Sequence, residues 1–242
     1  MEIIKKMTAK AADNSMEGVT IAFLGDSVTQ GCFEIYKNES GVIEPVFDKR
    51  HSYPQYLYNM FCTLFPSVNL NIINAGISGD KAPKGLERLE RDIVRHCPDL
   101  TVVCYGLNDC STEEKSVEAY TNALEGIFRR LKAEDIEIIF MTPNMMNTGI
   151  SVHLHDEDFL DIAKKNAMMQ NEGVFDAHIE AARRLCGQYG IPVCDCYSIW
   201  RKLDESGVDV TELLSNKINH PTREMNKIFA QELIRTMFLT EK

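Results

Sequence analysis

No segment of this 242-residue chain stays apolar long enough to span a bilayer, so a membrane-spanning helix is excluded. An excess of basic charge is missing too: 26 Lys and Arg against 36 Asp and Glu leave a net charge of −10. Without a basic field, neither nucleic acid nor an anionic membrane is an expected partner. The chain also lacks a G-x-x-x-x-G-K-[ST] phosphate loop and a G-x-G-x-x-G following a strand. Nucleotide binding therefore has no usual warrant, and no cofactor is expected. None of the eight cysteines forms a C-x-x-C pair, and the gap in Cys194-Asp195-Cys196 is too short for a zinc or redox site. Cys97, Cys104 and Cys194 lie in or beside apolar runs, where a reduced thiol behaves as a small hydrophobe. The run His153-Leu154-His155-Asp156-Glu157-Asp158 matches no established ligand spacing and reads as a solvated loop, so no metal is expected. The first residues, Met1-Glu2-Ile3-Ile4-Lys5-Lys6-Met7, develop no signal-peptide core, and with reduced thiols this makes the expected location cytoplasmic. No repeat and no Gly/Ser/Pro linker divides the chain, so one domain over residues 1–242 is the simplest organisation.

What the chain does have is alternation. Apolar, β-branched runs occur at residues 19–24, 68–73, 100–105, 136–141 and 191–194. Helix-like stretches fill the intervals at 53–65, 84–96, 112–133 and 174–189, and another covers 222–238. Ser111-Thr112-Glu113-Glu114 reads as a helix cap, and Gly190-Ile191-Pro192 as a helix stop. Repeated βαβ units imply a parallel five-stranded sheet covered by helices on both faces, a three-layer α/β/α fold. The second run alternates apolar and polar residues while the third is almost continuously apolar, which puts the second strand at an edge and the third in the centre. Two connections, residues 31–52 and 144–172, exceed the usual length and suit lids or substrate-shaping elements.

Chemistry concentrates where strands end. Gly25-Asp26-Ser27-Val28-Thr29-Gln30-Gly31 follows the first strand, placing a serine at the carboxyl edge of the sheet between glycines. Asn74-Ala75-Gly76-Ile77-Ser78-Gly79-Asp80 follows the second strand and Tyr105-Gly106-Leu107-Asn108-Asp109 the third. Asn219-His220-Pro221 precedes the last helix. With strand order 2-1-3-4-5, the turns bearing Ser27 and Asn108 flank the topological switch point, where such sheets bind ligands. The serine sits in no G-x-S-x-G elbow and follows the first strand, unlike the nucleophile of the α/β-hydrolase fold.

In their order along almost the whole chain, Gly25-Asp26-Ser27, Gly79, Gly106-Leu107-Asn108-Asp109 and His220-Pro221 resemble the four signature blocks of the SGNH (GDSL-type) hydrolases. Gly85-Leu86-Glu87-Arg88-Leu89 adds a helix placed as in that family. The resemblance implies a flavodoxin-like SGNH fold and a carboxylic ester hydrolase. Ser27 would be the nucleophile and His220 the acid–base. The N–H groups of Ser27 and Gly79 and the Asn108 amide would form the oxyanion hole. The implied substrates are small acyl esters, O-acetyl groups on carbohydrates above all. A lysophospholipase or thioesterase using Met145, Met146 and Phe33 as acyl-chain walls is the alternative, as are an acyltransferase and a weakly active acyl-glycan-binding relative. One position departs from the family. Lys217 stands three residues before His220, where an aspartate usually orients the imidazole, and a lysine cannot accept its N–H. A backbone carbonyl, or a side chain such as Asn216, Asp195, Asp204 or Glu212, must take that role.

Overall fold

The computed structural model describes residues 1–240. Five strands form one parallel sheet: β1 (Val19–Gly25), β4 (Leu70–Gly76), β5 (Leu100–Cys104), β6 (Glu137–Met141) and β7 (Val193–Cys194). Between β1 and β4 lie a separate antiparallel pair, β2 (Cys32–Lys37) and β3 (Ile43–Phe47). The order across the main sheet is β4-β1-β5-β6-β7, so its first and third strands are neighbours and its second is an edge, as the patterning predicts. The burial of β5 is continuous, whereas β4 is only partly buried along most of its length.

The helices are α1 (Glu2–Ala12), α2 (Ser27–Gln30), α3 (Tyr53–Leu64), α4 (Ala82–Asp92), α5 (Ser116–Ala133), α6 (Glu157–Asn171), α7 (Val174–Tyr189), α8 (Cys196–Glu205) and α9 (Arg223–Leu239). Successive side chains of a strand point to opposite faces, and β1 shows the consequence. Ile21 and Phe23 join a core with Met7, Tyr53, Leu57, Phe229 and Leu233, under α1, α3 and α9. Ala22 and Leu24 join a second core with Leu89, Leu124, Ile127 and Phe128, under α4 and α5. Burying a side chain such as Phe23 contributes about 1.5–3 kcal/mol, so the two cores hold the strand ends in register. Among the described residues, no helix is long and apolar enough to cross a membrane.

Local chemistry corrects some of the expected boundaries. The segment Ser111-Thr112-Glu113-Glu114 does not cap α5. The Ser111 hydroxyl accepts from the Glu113 N–H two residues on, closing its own turn, and the helix starts at Ser116. Gly190 does end α7, in the left-handed region at φ +61°. The last strand is two residues long rather than four. Helices α1 and α8 lie outside the expected set.

Both long connections carry structure. Residues 31–52 fold back as the β2–β3 hairpin, whose turn is closed by Asn38 Oδ1 accepting from the N–H groups of Ser40 and Val42. Residues 144–172 contain α6, capped by the Asp156 carboxylate. The two additions pack on each other. Lys37 reaches Asp156 at 2.9 Å and Asp158 at 2.6 Å, and Ile35 meets a small cluster of Phe159, Ala163 and Ile218.

At the carboxyl edge, the backbone passes too close for side chains. A Cβ on Gly76 would lie 2.3 Å from the Gln30 nitrogen and 2.8 Å from the Asp26 carbonyl oxygen, both backbone atoms of the serine turn. Gly76→Ala is expected to destabilise the protein by about 1–3 kcal/mol, read as a lower midpoint in urea unfolding with an unchanged slope.

Candidate active site

Ser27 opens α2 directly after β1. Asp26 caps that turn by accepting from the Val28 N–H at 2.9 Å, and Gly31 closes it in the left-handed region at φ +89°. Two neighbouring loops are tied to it. Ile77 N–H donates to the Gly25 carbonyl at 3.1 Å, and Ser78 N–H donates to Gln30 Oε1 at 2.7 Å. Gly79 follows at φ +78°, with open space where a Cβ would be. The Asn108 amide donates to the Asp80 carbonyl at 3.0 Å, which joins the loop after β5 to the loop after β4. Among the described residues, the backbone N–H groups of Ser27 and Gly79 donate to no protein acceptor.

Beneath these loops lies Arg88, buried on α4, with all five of its N–H donors used. They reach Asp80 at 2.7 Å, Ala75 O at 2.6 Å, Asp92 at 3.1 Å, Gly25 O at 3.0 Å and the Tyr105 hydroxyl at 2.8 Å. One side chain therefore joins the ends of β1 and β4 to Asp80, and through Tyr105 to the residue after β5. Sequence reading places Arg88 on the right helix but not in this role.

His220 arrives from the other side. Its Nε2 lies 2.9 Å from Ser27 Oγ, and its Nδ1 lies 3.0 Å from the Phe33 carbonyl oxygen. A carbonyl only accepts, so in the neutral ring Nδ1 carries the proton and Nε2 is left to accept from the serine hydroxyl. The expected aspartate position is thus replaced by backbone. Lys217, in the left-handed region at φ +59°, turns its ammonium to Glu212 at 2.8 Å. The four side chains considered for the orienting role are engaged elsewhere. Asn216 Oδ1 accepts from the N–H groups of Ile218, Asn219 and His220, shaping the loop rather than the ring. Asp195 is held by Arg183 and Ser198, Asp204 faces Arg201, and Glu212 takes Lys217 and Ser151. Met145 and Met146 sit fully buried in the larger core and Phe33 is buried as well, so none of them forms the wall of an open acyl channel. A cavity of about 480 Å³ opens at the opposite, amino-terminal edge of the sheet. Two of its carboxylates are already committed, Asp99 to Lys6 and Glu137 to the N–H groups of Glu2 and Ile3.

Burial governs the electrostatics. It pushes the His220 imidazole down to about 4, against the opposing pull of the Phe33 hydrogen bond and the Glu34 charge. It pushes the Asp26 carboxyl up to about 7, with the charges of Asp109 and Asp80 adding to the rise. The Asp109 carboxyl rises to about 6, again mainly through burial. One of its oxygens accepts from the Ala82 N–H and the other has no partner. A carboxyl raised in this way retains its proton in the folded protein at pH values where the unfolded chain has released it. Folding stability then declines as pH rises from about 4 through about 6. Asp109→Asn cannot ionise, so across that window the wild-type Tm should fall relative to that of the variant in parallel thermal melts.

The fold and these residues can be set beside known proteins. An acetylxylan esterase of Geobacillus stearothermophilus is 26% identical over 135 residues, which cover 52% of this chain and 60% of that protein. A two-domain esterase active on acetylated mannans superposes with a TM-score of 0.66 at 21% identity, over 97% of this chain and 52% of that one. A catalytic mutant of a Geobacillus stearothermophilus acetylxylan esterase superposes at 0.67 with 16% identity, over 93% of this chain and 97% of that one. At such identities the structural likenesses bear on the fold alone. The model of the GDSL-like lipase/acylhydrolase family matches residues 23–228. That span takes in the sheet, the serine turn and the histidine loop together, and the chain belongs to the GDSL-like lipase/acylhydrolase family.

Proposed function

We propose that this protein is a serine esterase that removes small acyl groups, acetyl above all, from carbohydrate esters. The observation that carries the reading is the chain of contacts from Ser27 Oγ through the His220 ring to the Phe33 carbonyl. In that tautomer, Nε2 takes the serine proton as Oγ attacks the ester carbonyl carbon. The carbonyl oxygen becomes an oxyanion, facing the N–H groups of Ser27 and Gly79 and the second N–H of the Asn108 amide. The imidazolium then gives its proton to the departing sugar oxygen, leaving an acyl-Ser27. In the second half, His220 takes a proton from water, the hydroxide attacks the acyl carbon, and the acid leaves as Ser27 regains its proton. The chain's likeness in sequence to an acetylxylan esterase supports acetyl groups on sugars as the substrate class. Lys217 at the family's acid position favours a second reading, a weakly active protein that binds acylated glycans, because among the described residues the His220 ring bonds only Phe33 O and Ser27 Oγ, and no acid.

Hydrolysis of p-nitrophenyl acetate separates the two. Ser27→Ala should lower turnover by about 10⁴ or more, to background. Asn108→Ala should lower it by about 10²–10³ while the protein stays folded. If wild type and Ser27→Ala are equally active, the assignment of Ser27 fails; if neither exceeds background, the binding reading replaces the esterase. Rates across acetyl, butyryl and octanoyl esters should fall steeply after acetyl.

The His220 value sets the pH dependence. The ring works as a base only when neutral, so kcat/KM should climb through pH about 4 and level off well below neutrality. A rise centred at about 6.5, the ordinary histidine value, would show that the His220 ring is solvated in the free enzyme.

A further inference from the structure

Arg223 is the first residue of α9, three positions after His220. Its guanidinium stacks on the Phe33 ring, 4.4 Å from the centroid. Its Nε donates to Asp48 at 2.8 Å, and its two terminal nitrogens donate to the two oxygens of Glu34 at 2.6 and 3.2 Å. These contacts take hold of both arms of the hairpin: Phe33 and Glu34 lie in β2, and Asp48 directly follows β3. Asp48 also holds His51 at 2.7 Å, which ties the return of the hairpin into the same cluster.

The grip falls where the hairpin is weakest. Its register is interrupted between Cys32 and Ile35, so the pairing that would hold Phe33 in place is broken at that point. A two-stranded hairpin has little stability of its own, and nothing in its ladder dictates where the Phe33 carbonyl points. Yet that carbonyl is the partner of His220 Nδ1. Arg223 joins the segment that carries the histidine to the segment that carries its acceptor, through a planar fork and a stacked face that lysine cannot reproduce.

We propose that Arg223 is a positioning residue for the acyl transfer, clamping the β2–β3 hairpin so that the Phe33 carbonyl holds His220 in its reactive tautomer. This rests on the esterase reading for its consequence in turnover, but not for its consequence in the ring. Arg223 touches neither Ser27 nor the His220 ring. Its effect passes through the backbone of Phe33.

The test uses the full chain as wild type, Arg223→Met and Arg223→Lys. Two readouts are taken: kcat and KM for p-nitrophenyl acetate, and the tautomer of His220 from ¹⁵N-histidine NMR, assigned by the signal lost in His220→Gln. Arg223→Met should lose about tenfold to a hundredfold in kcat with KM unchanged, since small misplacements of a reacting group cost rates of that order. Its ring should become a mixture of Nδ1–H and Nε2–H forms, and Arg223→Lys should fall between it and wild type. A single Nδ1–H tautomer with wild-type kcat in Arg223→Met overturns the proposal. A loss confined to KM, or a fall in kcat with the tautomer unchanged, does so too. If Arg223→Met does not fold, Arg223→Lys decides: wild-type kcat and a single tautomer without the fork overturn the clamp. Should wild type show no Ser27-dependent turnover, the esterase reading fails separately, and the tautomer of the variants still judges Arg223.

Discussion

The site is organised around the buried Arg88 guanidinium. A charge taken out of water costs several kcal/mol unless its hydrogen bonds are replaced, and here every N–H finds an acceptor. Two of those acceptors are backbone carbonyls at the ends of β1 and β4: Ala75 O, and Gly25 O, which also accepts from the Ile77 N–H. Satisfying the arginine therefore ties the two strand ends together. Because Asp80 and Tyr105 complete the set, the turns bearing Ser27, Gly79 and Asn108 are held to a single centre. The tight glycine contacts at this edge follow from it: loops drawn that close leave no room for a Cβ at Gly76.

The histidine side is built on a different principle. Where relatives of this kind use an acid on the histidine loop, this chain supplies a neutral carbonyl from an inserted hairpin, and the loop itself is shaped by Asn216. A carbonyl selects the tautomer as well as a carboxylate does, but offers no full charge to the developing imidazolium. The Glu34 charge raises the pKa of the His220 imidazole against the effect of burial, and the pairing of Glu34 with Arg223 keeps that charge in place. The hairpin, the extra helix α6 and the histidine loop pack on one another through Ile35, Phe159 and Ile218, so the two insertions act as a frame for His220.

Burial also explains the charge states. The same exclusion of water that holds His220 neutral raises the carboxyls of Asp26 and Asp109. Below about pH 6, fewer net charges then lie around Ser27, Gly79 and Asn108 than the sequence, with its excess of acidic residues, suggests. The cost appears in stability toward neutral pH, the usual exchange when a site is kept dry for electrostatic work.

The sequence by itself determined the layered fold, the edge place of its second strand and the central place of its third, and the four segments that meet at the carboxyl edge. These follow from hydrophobic periodicity and from residue types placed at strand ends, both local signals. Lys217 also showed that the usual acid is missing. Only the tertiary structure decided what takes its place, because the Phe33 acceptor is a backbone oxygen that every residue possesses and no motif can mark. The five bonds of Arg88 and the reach of Arg223 to Glu34 and Asp48 were illegible for a related reason: their partners lie up to 189 residues away in the chain and meet only once the sheet and hairpin have formed. The content of the two long connections was hidden as well, since the hairpin strands and α6 carry weak periodicity of their own.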